Sequence, residues 1–269
     1  MRFRQADRSN MDEMEHRPRL VQFTDTHLLA DPQGLMRGVR PLQTLQACIA
    51  DAHRRFLPAD AILVTGDLVQ DEPEGYGFLE LALAPLGAPV LLIPGNHDLP
   101  DELHRRLSHP PFQIGGSFAL GSWVIVLLDT WLADSANGEG SLGPERLAAL
   151  DRALEEHAAR HVLVCLHHPP MPMGGAGLDA LGLQDGAECM TILARHRNVR
   201  GVSWGHAHQS FDLFRDGVRY MCTPATCMQF KPRSDEIQID DRPPGYRVID
   251  LAADGSLATE VVWLEGYSE

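Results

Sequence analysis

The chain has 269 residues and a formal net charge of −14, with 44% hydrophobic and 22% charged residues. A field of that sign repels polyanions, so we expect no binding of DNA or RNA. Apolar runs such as 123–128 are far shorter than the roughly 18 residues that span a bilayer, and no membrane span is expected. Residues 1–18 carry charges throughout, unlike a secretory signal, and are expected to form a flexible tail before a single domain at 19–269.

The five cysteines also bear on the class of protein, because their number is odd and no CxxC pair is present. This pattern argues against a disulfide scaffold. Free thiols persist in a reducing compartment, so a cytoplasmic location is expected.

Short β-rich runs alternate with helical patterns from residue 20 onward. The predicted strands are Leu20–Thr24, Ala61–Thr65, Val90–Ile93, Trp123–Leu128, Val162–Leu166, Val199–Trp204, Val218–Cys222 and Tyr246–Leu251. The predicted helices are Pro41–Phe56, Glu74–Leu83, Pro144–Ala159 and Ala187–His196. Such alternation predicts an α/β fold of sheets covered by helices. The glycine-rich stretches 132–142 and 171–185 are predicted to be loops that shape a substrate site.

Residues of metal-ligating type follow five of the first six predicted strands. The seven candidate ligands are Asp25, His27, Asp67, Asn96, His167, His206 and His208. Ligands gather beyond the carboxyl ends of strands in such folds, so these residues are expected to meet at one rim. Oxygen and imidazole donors suit Mn, Fe, Co or Zn held for hydrolysis. Seven donors suffice for two metals if one carboxylate bridges, and Asp67, after the flexible Gly66, is the natural bridge.

The block Gly95-Asn96-His97-Asp98 is the most specific of the five. The neutral amide of Asn96 keeps a bound metal a strong Lewis acid, and Asn96 and His97 are both expected to contact substrate. His97 is then free to act as the catalytic acid, with Asp71 or Asp98 holding its imidazole.

The block that begins at His167 offers one ligand and one supporting residue. We assign His167 as the ligand and His168 as the side chain that orients a neighbour, although the reverse stays open.

Residues 201–205 match G-x-S-x-G, the nucleophile elbow of α/β hydrolases. That motif needs a sharp turn at the serine and a histidine later in the chain. Ser203 lies inside a predicted strand, and the last histidine is His208, with no acid between them. We therefore interpret the match as accidental.

The ordered set D-x-H, G-D, G-N-H-D, H-H-P-P and G-H-x-H resembles the calcineurin-like metallophosphoesterases, and within them the class III cyclic-nucleotide phosphodiesterases of the bacterial cyclic AMP type. The stretches 66–71, 205–209, 227–235 and 242–246 carry the second resemblance. One departure is Leu183-Gln184-Asp185, where the family often carries Leu-Arg-Asn. Loss of a rim arginine bears on preference among nucleotides.

The resemblance implies a four-layer α/β/β/α sandwich of two mixed sheets and a homodimer. It also implies two divalent or mixed-valence metal ions, Fe or Mn first, with Zn or Co as alternatives. One metal falls to Asp25, His27, Asp67 and His208. The other falls to Asp67, Asn96, His167 and His206.

The expected reaction is hydrolysis of 3′,5′-cyclic AMP to the 5′-monophosphate by a metal-bridging hydroxide, with His97 protonating the leaving oxygen. Phe230 is expected to stack on the base, and Lys231 and Arg233 to meet phosphate or ribose, although a surface turn fits these three residues nearly as well. One alternative is a broader phosphodiesterase or phosphomonoesterase, acting on 2′,3′-cyclic nucleotides or glycerophosphodiesters. Another is a metal-poor scaffold that binds partners, against which the complete ligand set argues.

Overall fold

The computed structural model describes residues 17–267. The predicted tail therefore lies almost wholly outside the described residues, as do residues 268–269. Within the described part, the carbonyl of Pro18 accepts a hydrogen bond from the amide of Leu251. None of the helices in 17–267 is long and apolar enough to cross a membrane.

Strands and helices alternate through most of the chain. The strands are β1 Arg19–Phe23, β2 Ala61–Thr65, β3 Val90–Ile93, β4 Phe112–Ile114, β5 Gly116–Leu120, β6 Trp123–Leu127, β7 His161–Cys165, β8 Val199–Trp204, β9 Phe211–Arg215, β10 Val218–Cys222, β11 Gln229–Phe230, β12 Ile239–Asp240, β13 Gly245–Leu251 and β14 Leu257–Trp263. The helices are α1 Pro41–Arg55, α2 Gly75–Leu83, α3 Pro100–Leu107, α4 Gly143–Glu156, α5 Ala176–Asp179 and α6 Gly186–Arg195, with a 3-10 turn at Ala84–Leu86.

Two six-stranded sheets form the centre of the fold. The first has the order β14-β13-β1-β2-β3-β4 and the second β5-β6-β7-β8-β10-β9. In the first sheet, β1 to β4 run parallel and β13 and β14 are antiparallel additions. In the second, β6, β7, β8 and β10 run parallel between antiparallel edges. Both sheets are therefore mixed.

Three apolar cores show how the layers stack. Side chains of both sheets, such as Leu63 and Leu163, meet in a core between them. A second core joins the first sheet to α1, α2 and α3, and a third joins the second sheet to α4 and α6. The order helix, sheet, sheet, helix is the α/β/β/α sandwich that the family resemblance implies.

All eight predicted strands and four predicted helices are present, with ends within three residues of the prediction. The missed elements are those with little buried apolar surface. Strands β5 and β14 are mostly exposed or half-buried, and α3 buries only Leu103 and Leu107 among its charged residues. Periodic hydrophobicity is the main signal for such elements, and here it is weak.

Candidate metal centre

The seven predicted ligands lie together at the carboxyl ends of β1, β2 and β3 in one sheet and of β7 and β8 in the other. Ligand atoms of Asp25, His27 and His208 are within 4.8 Å of one another, as are those of Asp25, Asp67 and His167. Six of the seven side chains belong to residues that are at most 7% exposed, and Asn96 is half-buried. The expected convergence on one rim is present.

The first cluster centres on His27 and His208, whose Nε2 atoms lie 3.1 Å apart. The other ring nitrogen of each faces a carbonyl oxygen, that of Gln70 at 2.8 Å and that of Met228 at 2.7 Å. A carbonyl only accepts, so each Nδ1 carries the proton and each Nε2 presents a lone pair. Asp25 Oδ1 lies 3.3 Å from His208 Nε2, and Asp67 Oδ2 lies 3.7 Å from His27 Nε2.

The second cluster brings together His167, His206 and Asn96. Asn96 Oδ1 lies 3.0 Å from His206 Nδ1 and 3.3 Å from His167 Nε2, and those two nitrogens are 3.3 Å apart. His167 Nδ1 donates to the carbonyl of Thr65 at 2.8 Å, so Nε2 is the nitrogen with which the neutral ring would ligate a metal. The Nε2 of His206 is buried and has no hydrogen-bond partner among residues 17–267.

Asp67 stands between the two clusters. Its Oδ2 faces His27, and its Oδ1 lies 3.4 Å from His167 Nε2 and accepts the amide of His97 at 2.9 Å. Each cluster thus offers four oxygen or nitrogen donors with one carboxylate in common. Lone pairs that face one another across 3 Å repel unless a cation lies among them, so this donor set fits two divalent cations.

The backbone at these ligands is strained. Five of the seven ligand residues have a positive φ, between 45° and 63°. For residues other than glycine this conformation costs on the order of 1 kcal/mol or more each, and it persists where the surrounding structure imposes it, often at functional sites. The neighbouring glycines allow the close approach. A Cβ at Gly95 would lie 2.2 Å from Asp67 Oδ1, and one at Gly205 would lie 2.0 Å from Thr24 Oγ1.

Burial and the two carboxylates set the protonation of the ligands. Burial lowers the pKa of His206 to about 3 and that of His27 to about 4, so both are neutral and ready to ligate. Burial alone would also lower the pKa of His167, but the Asp67 carboxylate outweighs it and raises the pKa to about 9. Burial also raises the pKa of Asp67, but the neighbouring His167 lowers it by more. The pKa of the Asp67 carboxyl therefore lies well below its usual range. The raised pKa of His167 applies to the protein without metal, where Nε2 also carries a proton, and a bound cation would take the place of that proton.

His97 lies beside the clusters and is half-buried. Its Nδ1 is 2.8 Å from Gln70 Nε2 and 3.1 Å from Asp71 Oδ2, and Gln70 Nε2 also donates to Asp71 at 2.9 Å. Gln70 therefore links the candidate acid His97 to the ligand His27, a role that the sequence analysis missed. The sequence signal was its place in the stretch 66–71, which carried the family resemblance.

Asp98 does not hold the imidazole of His97, and that alternative was wrong. Its carboxylate accepts the amides of Leu68 at 3.1 Å and Gly95 at 2.8 Å, and the hydroxyl of Tyr76 at 2.9 Å. Burial, followed by the charge of Asp67, raises the pKa of Asp98 to about 7. Asp98 ties together the loops after β2 and β3, and Asp71 is the carboxylate that contacts His97.

Both ring nitrogens of His168 are engaged away from the clusters. Nδ1 lies 2.8 Å from Thr130 Oγ1, and Nε2 donates to the carbonyl of Gly138 at 3.1 Å. The ring packs 4.6 Å from that of His206. A nitrogen of His168 is near enough to His167 and His206 to ligate with them. However, its existing hydrogen bonds favour the predicted supporting role, with Thr130 as a partner that the sequence did not reveal.

A cavity of about 190 Å³ opens beside the clusters. Its lining comprises His27, Met36, Arg37, Asp67, Asn96, His97, Asn137, Leu178, Leu181, His206, His208, Met228, Phe230 and Ile237. Asn137 belongs to one predicted loop and Leu178 and Leu181 to the other, which also contains the short helix α5. A larger cavity of about 550 Å³ is lined by α6 and the start of β8, at the opposite end of the second sheet, and contains none of the seven ligands.

The three predicted substrate contacts beyond the clusters differ in position. Phe230 lines the cavity, with its ring stacked on that of His208 at 4.5 Å and 23°. Lys231 and Arg233 are exposed and lie outside the cavity lining, where the backbone amide of Lys231 donates to the carbonyl of Gln238. The surface-turn alternative fits these two cations.

Ser203 is fully buried inside β8, and its Oγ donates to Gln22 Oε1 at 2.6 Å. The residue sits on no exposed turn. The nucleophile-elbow match is accidental, as the sequence analysis expected.

Comparison with known proteins agrees with this geometry. The family model described as calcineurin-like phosphoesterase matches residues 18–210. The chain is 36% identical over 249 residues to the 3′,5′-cyclic adenosine monophosphate phosphodiesterase CpdA of Escherichia coli, covering 92% of this chain and 90% of that protein. It is 37% identical over 246 residues to the CpdA of Haemophilus influenzae, covering 90% and 89%.

Solved structures show the same fold. A dimetal phosphatase from Danio rerio superposes with a TM-score of 0.65 at 14% identity, covering 87% of this chain and 93% of that one. On the family match and the identity to these relatives, the chain belongs to the calcineurin-like phosphoesterase family.

Proposed function

We propose that this protein hydrolyses 3′,5′-cyclic AMP to 5′-AMP at a binuclear metal centre. The observation that carries the proposal is the pair of four-donor clusters joined through Asp67, beside a cavity that also contains His97. The names of the relatives described above support the choice of substrate.

Two dications held by these donors would lower the pKa of water and would neutralise charge on the phosphoryl oxygens. Asn96 and the neutral imidazoles would add no charge to the loaded centre, and the two aspartates would only partly balance the charge of two dications, so the centre would be net positive. That charge attracts an anionic diester to a protein whose net charge is −14.

His97 supplies the proton for the leaving group. A water oxygen forms the new bond to phosphorus and gives up one proton to solvent, the bond from phosphorus to the ribose O3′ breaks, and the Nε2 proton of His97 passes to O3′, after which solvent reprotonates His97. Asp71 Oδ2 lies 3.1 Å from Nδ1 of His97, where it accepts the Nδ1 proton and fixes the orientation of the ring, and Gln70 Nε2 donates to Asp71. Phe230 offers an apolar face at the cavity wall.

A broader phosphodiesterase activity is the second candidate. It is favoured by the position of Lys231 outside the cavity, which leaves few polar groups to read the base. Steady-state rates on 3′,5′-cyclic AMP, 2′,3′-cyclic AMP and bis-p-nitrophenyl phosphate, each with added Mn²⁺, separate the two. A preference for the first substrate supports the proposal, and similar rates on all three support the broader activity. If the metal-loaded protein is inactive on all three substrates, the remaining interpretation is a scaffold that binds partners.

The metals, oligomeric state and compartment belong to the same proposal. Imidazole, carboxylate and amide donors without thiolate fit a Mn or Fe pair, with Zn or Co as alternatives. The five buried free cysteines fit a reducing cytoplasm. A homodimer follows from the family resemblance alone, and light scattering of the purified protein tests it.

A further inference from the structure

Arg37 occupies an unusual position at the mouth of the cavity. It is the first central residue of a two-residue hairpin turn in which Met36 and Val39 exchange backbone hydrogen bonds of 2.8 and 3.0 Å. Arg37 has φ +50° and Gly38 has φ +90°, the conformation of a type I′ turn. Asn, Asp and Gly are favoured at that position because a side chain with a Cβ crowds the backbone there. Turn stability therefore does not account for an arginine.

The guanidinium of Arg37 also lacks a partner in the part of the chain that the structure describes. Arg37 is exposed, lines the cavity to which His97 and Asn96 also contribute, and has no hydrogen bond or ion pair within residues 17–267. Other lining residues of the described chain are neutral, acidic or histidine, so Arg37 is the permanent cation of the cavity wall. A cation placed there is available to an anion that enters from outside.

The departure at residues 183–185 points in the same direction. Gln184, where the family resemblance leads one to expect arginine, is exposed, and its amide lies 3.4 Å from Glu139 Oε1. Asp185 accepts the amides of Leu142 and Gly143 at the start of α4. That loop contributes no arginine to the rim, and Arg37 supplies one from the loop after β1.

We propose that Arg37 is a substrate-binding residue that contacts a non-bridging oxygen of the substrate phosphate. A guanidinium pairs well with phosphoryl oxygens because its N–H groups form a planar fork. The inference rests on the proposed function, since it takes the phosphodiester at the binuclear centre as given. It assigns Arg37 to the phosphate and not to the base.

The test uses full-length, Mn²⁺-loaded Arg37→Asn, Arg37→Gly and Arg37→Lys variants, with Arg152→Ala on α4 as an exposed control. Asn and Gly suit a type I′ turn better than arginine does, so a loss of activity cannot come from a broken turn. We expect kcat/KM of the Asn and Gly variants to fall roughly tenfold, because a charge-assisted hydrogen bond is lost at a partly solvated site. The loss should appear mainly in KM, with Arg37→Lys intermediate.

Two substrates distinguish phosphate from base. Cyclic AMP and bis-p-nitrophenyl phosphate share the anionic diester, whereas only the first carries adenine, so a phosphate contact predicts similar losses on both. A loss confined to cyclic AMP, unchanged kinetics on both, or loss of bound metal would each overturn the assignment. If the wild-type protein cleaves bis-p-nitrophenyl phosphate but not cyclic AMP, the proposed substrate is wrong. The kinetics of the Arg37 variants on bis-p-nitrophenyl phosphate would still test the role of Arg37.

Discussion

The Nε2 atoms of His27 and His208 lie 3.1 Å apart, while the Nδ1 atom of each ring donates a hydrogen bond to a carbonyl oxygen. Two lone pairs at this distance repel, and Asp25 and Asp67 add negative charge beside them. The second cluster repeats the pattern with His167, whose proton faces Thr65. The protein thus holds donors in place for cations.

His97→Ala should leave the metal content unchanged and slow hydrolysis of cyclic AMP by about 10²- to 10⁴-fold, the usual contribution of a general acid. The imidazole lies beside the clusters and contacts Gln70 and Asp71 through Nδ1. Bis-p-nitrophenyl phosphate releases p-nitrophenolate, which needs no proton, so its rate should change far less. Steady-state kinetics with metal analysis checks both statements. Equal losses on the two substrates, or loss of metal, would show that His97 is not the acid.

Gln70→Ala should reduce kcat for cyclic AMP by roughly 10- to 100-fold, the typical effect of removing a residue that orients a metal ligand. The amide joins the imidazoles of His27 and His97, each at 2.8 Å. Metal affinity, measured by titration calorimetry, should weaken as well. Gln33→Ala, an exposed glutamine on the loop after β1, is the control and should behave as wild type. If the Gln70→Ala variant keeps full activity and metal affinity, Gln70 does not orient the ligands of this site.

Gly95→Ala should destabilise the protein by about 1–3 kcal/mol and lower its metal content, since overpacking forces buried neighbours to shift. The added methyl would lie 2.2 Å from Asp67 Oδ1 and 2.7 Å from His167 Nε2. Gly77→Ala is the matched control, because nothing lies within 4 Å of its Cβ position in α2. That change should stabilise the helix by about 0.5–1 kcal/mol. Chemical denaturation measures the free energy of unfolding of both variants. Equal changes in the two would contradict the predicted crowding at Gly95.

Addition of Mn²⁺ to metal-free protein should raise its thermal stability. At 100 times the dissociation constant, one site contributes about 2.7 kcal/mol. For a domain of this size that corresponds to roughly 5–10 °C in Tm. Scanning calorimetry with and without Mn²⁺ measures the shift, which Asp67→Asn should largely abolish because both clusters lose their common donor. An undiminished shift in that variant would contradict the bridging role of Asp67.

The central strands and the ligand set were predictable because they have strong signals. Strands β2 and β3 are buried along their whole length, and continuous apolar runs identify such strands. The ligands follow these strands directly, so their meeting follows from the parallel order of the sheet.

Other features leave no trace in the residue order. The carbonyls of Thr65 and Met228 that fix the ligand rings are backbone groups, which every residue possesses. Asp98 follows His97 in the sequence, but this does not show where its side chain points. The side chain turns towards Tyr76 and away from His97. The half-exposed strands β5 and β14 lack the apolar pattern on which prediction depends.

Elemental analysis of the purified protein, combined with cyclic AMP turnover before and after exhaustive chelation, tests the binuclear centre most directly. The paired donor clusters predict about two metal ions per chain, loss of activity on chelation and recovery on adding Mn²⁺. Full turnover by a chain stripped of metal, or turnover with a single ion bound, would contradict the account.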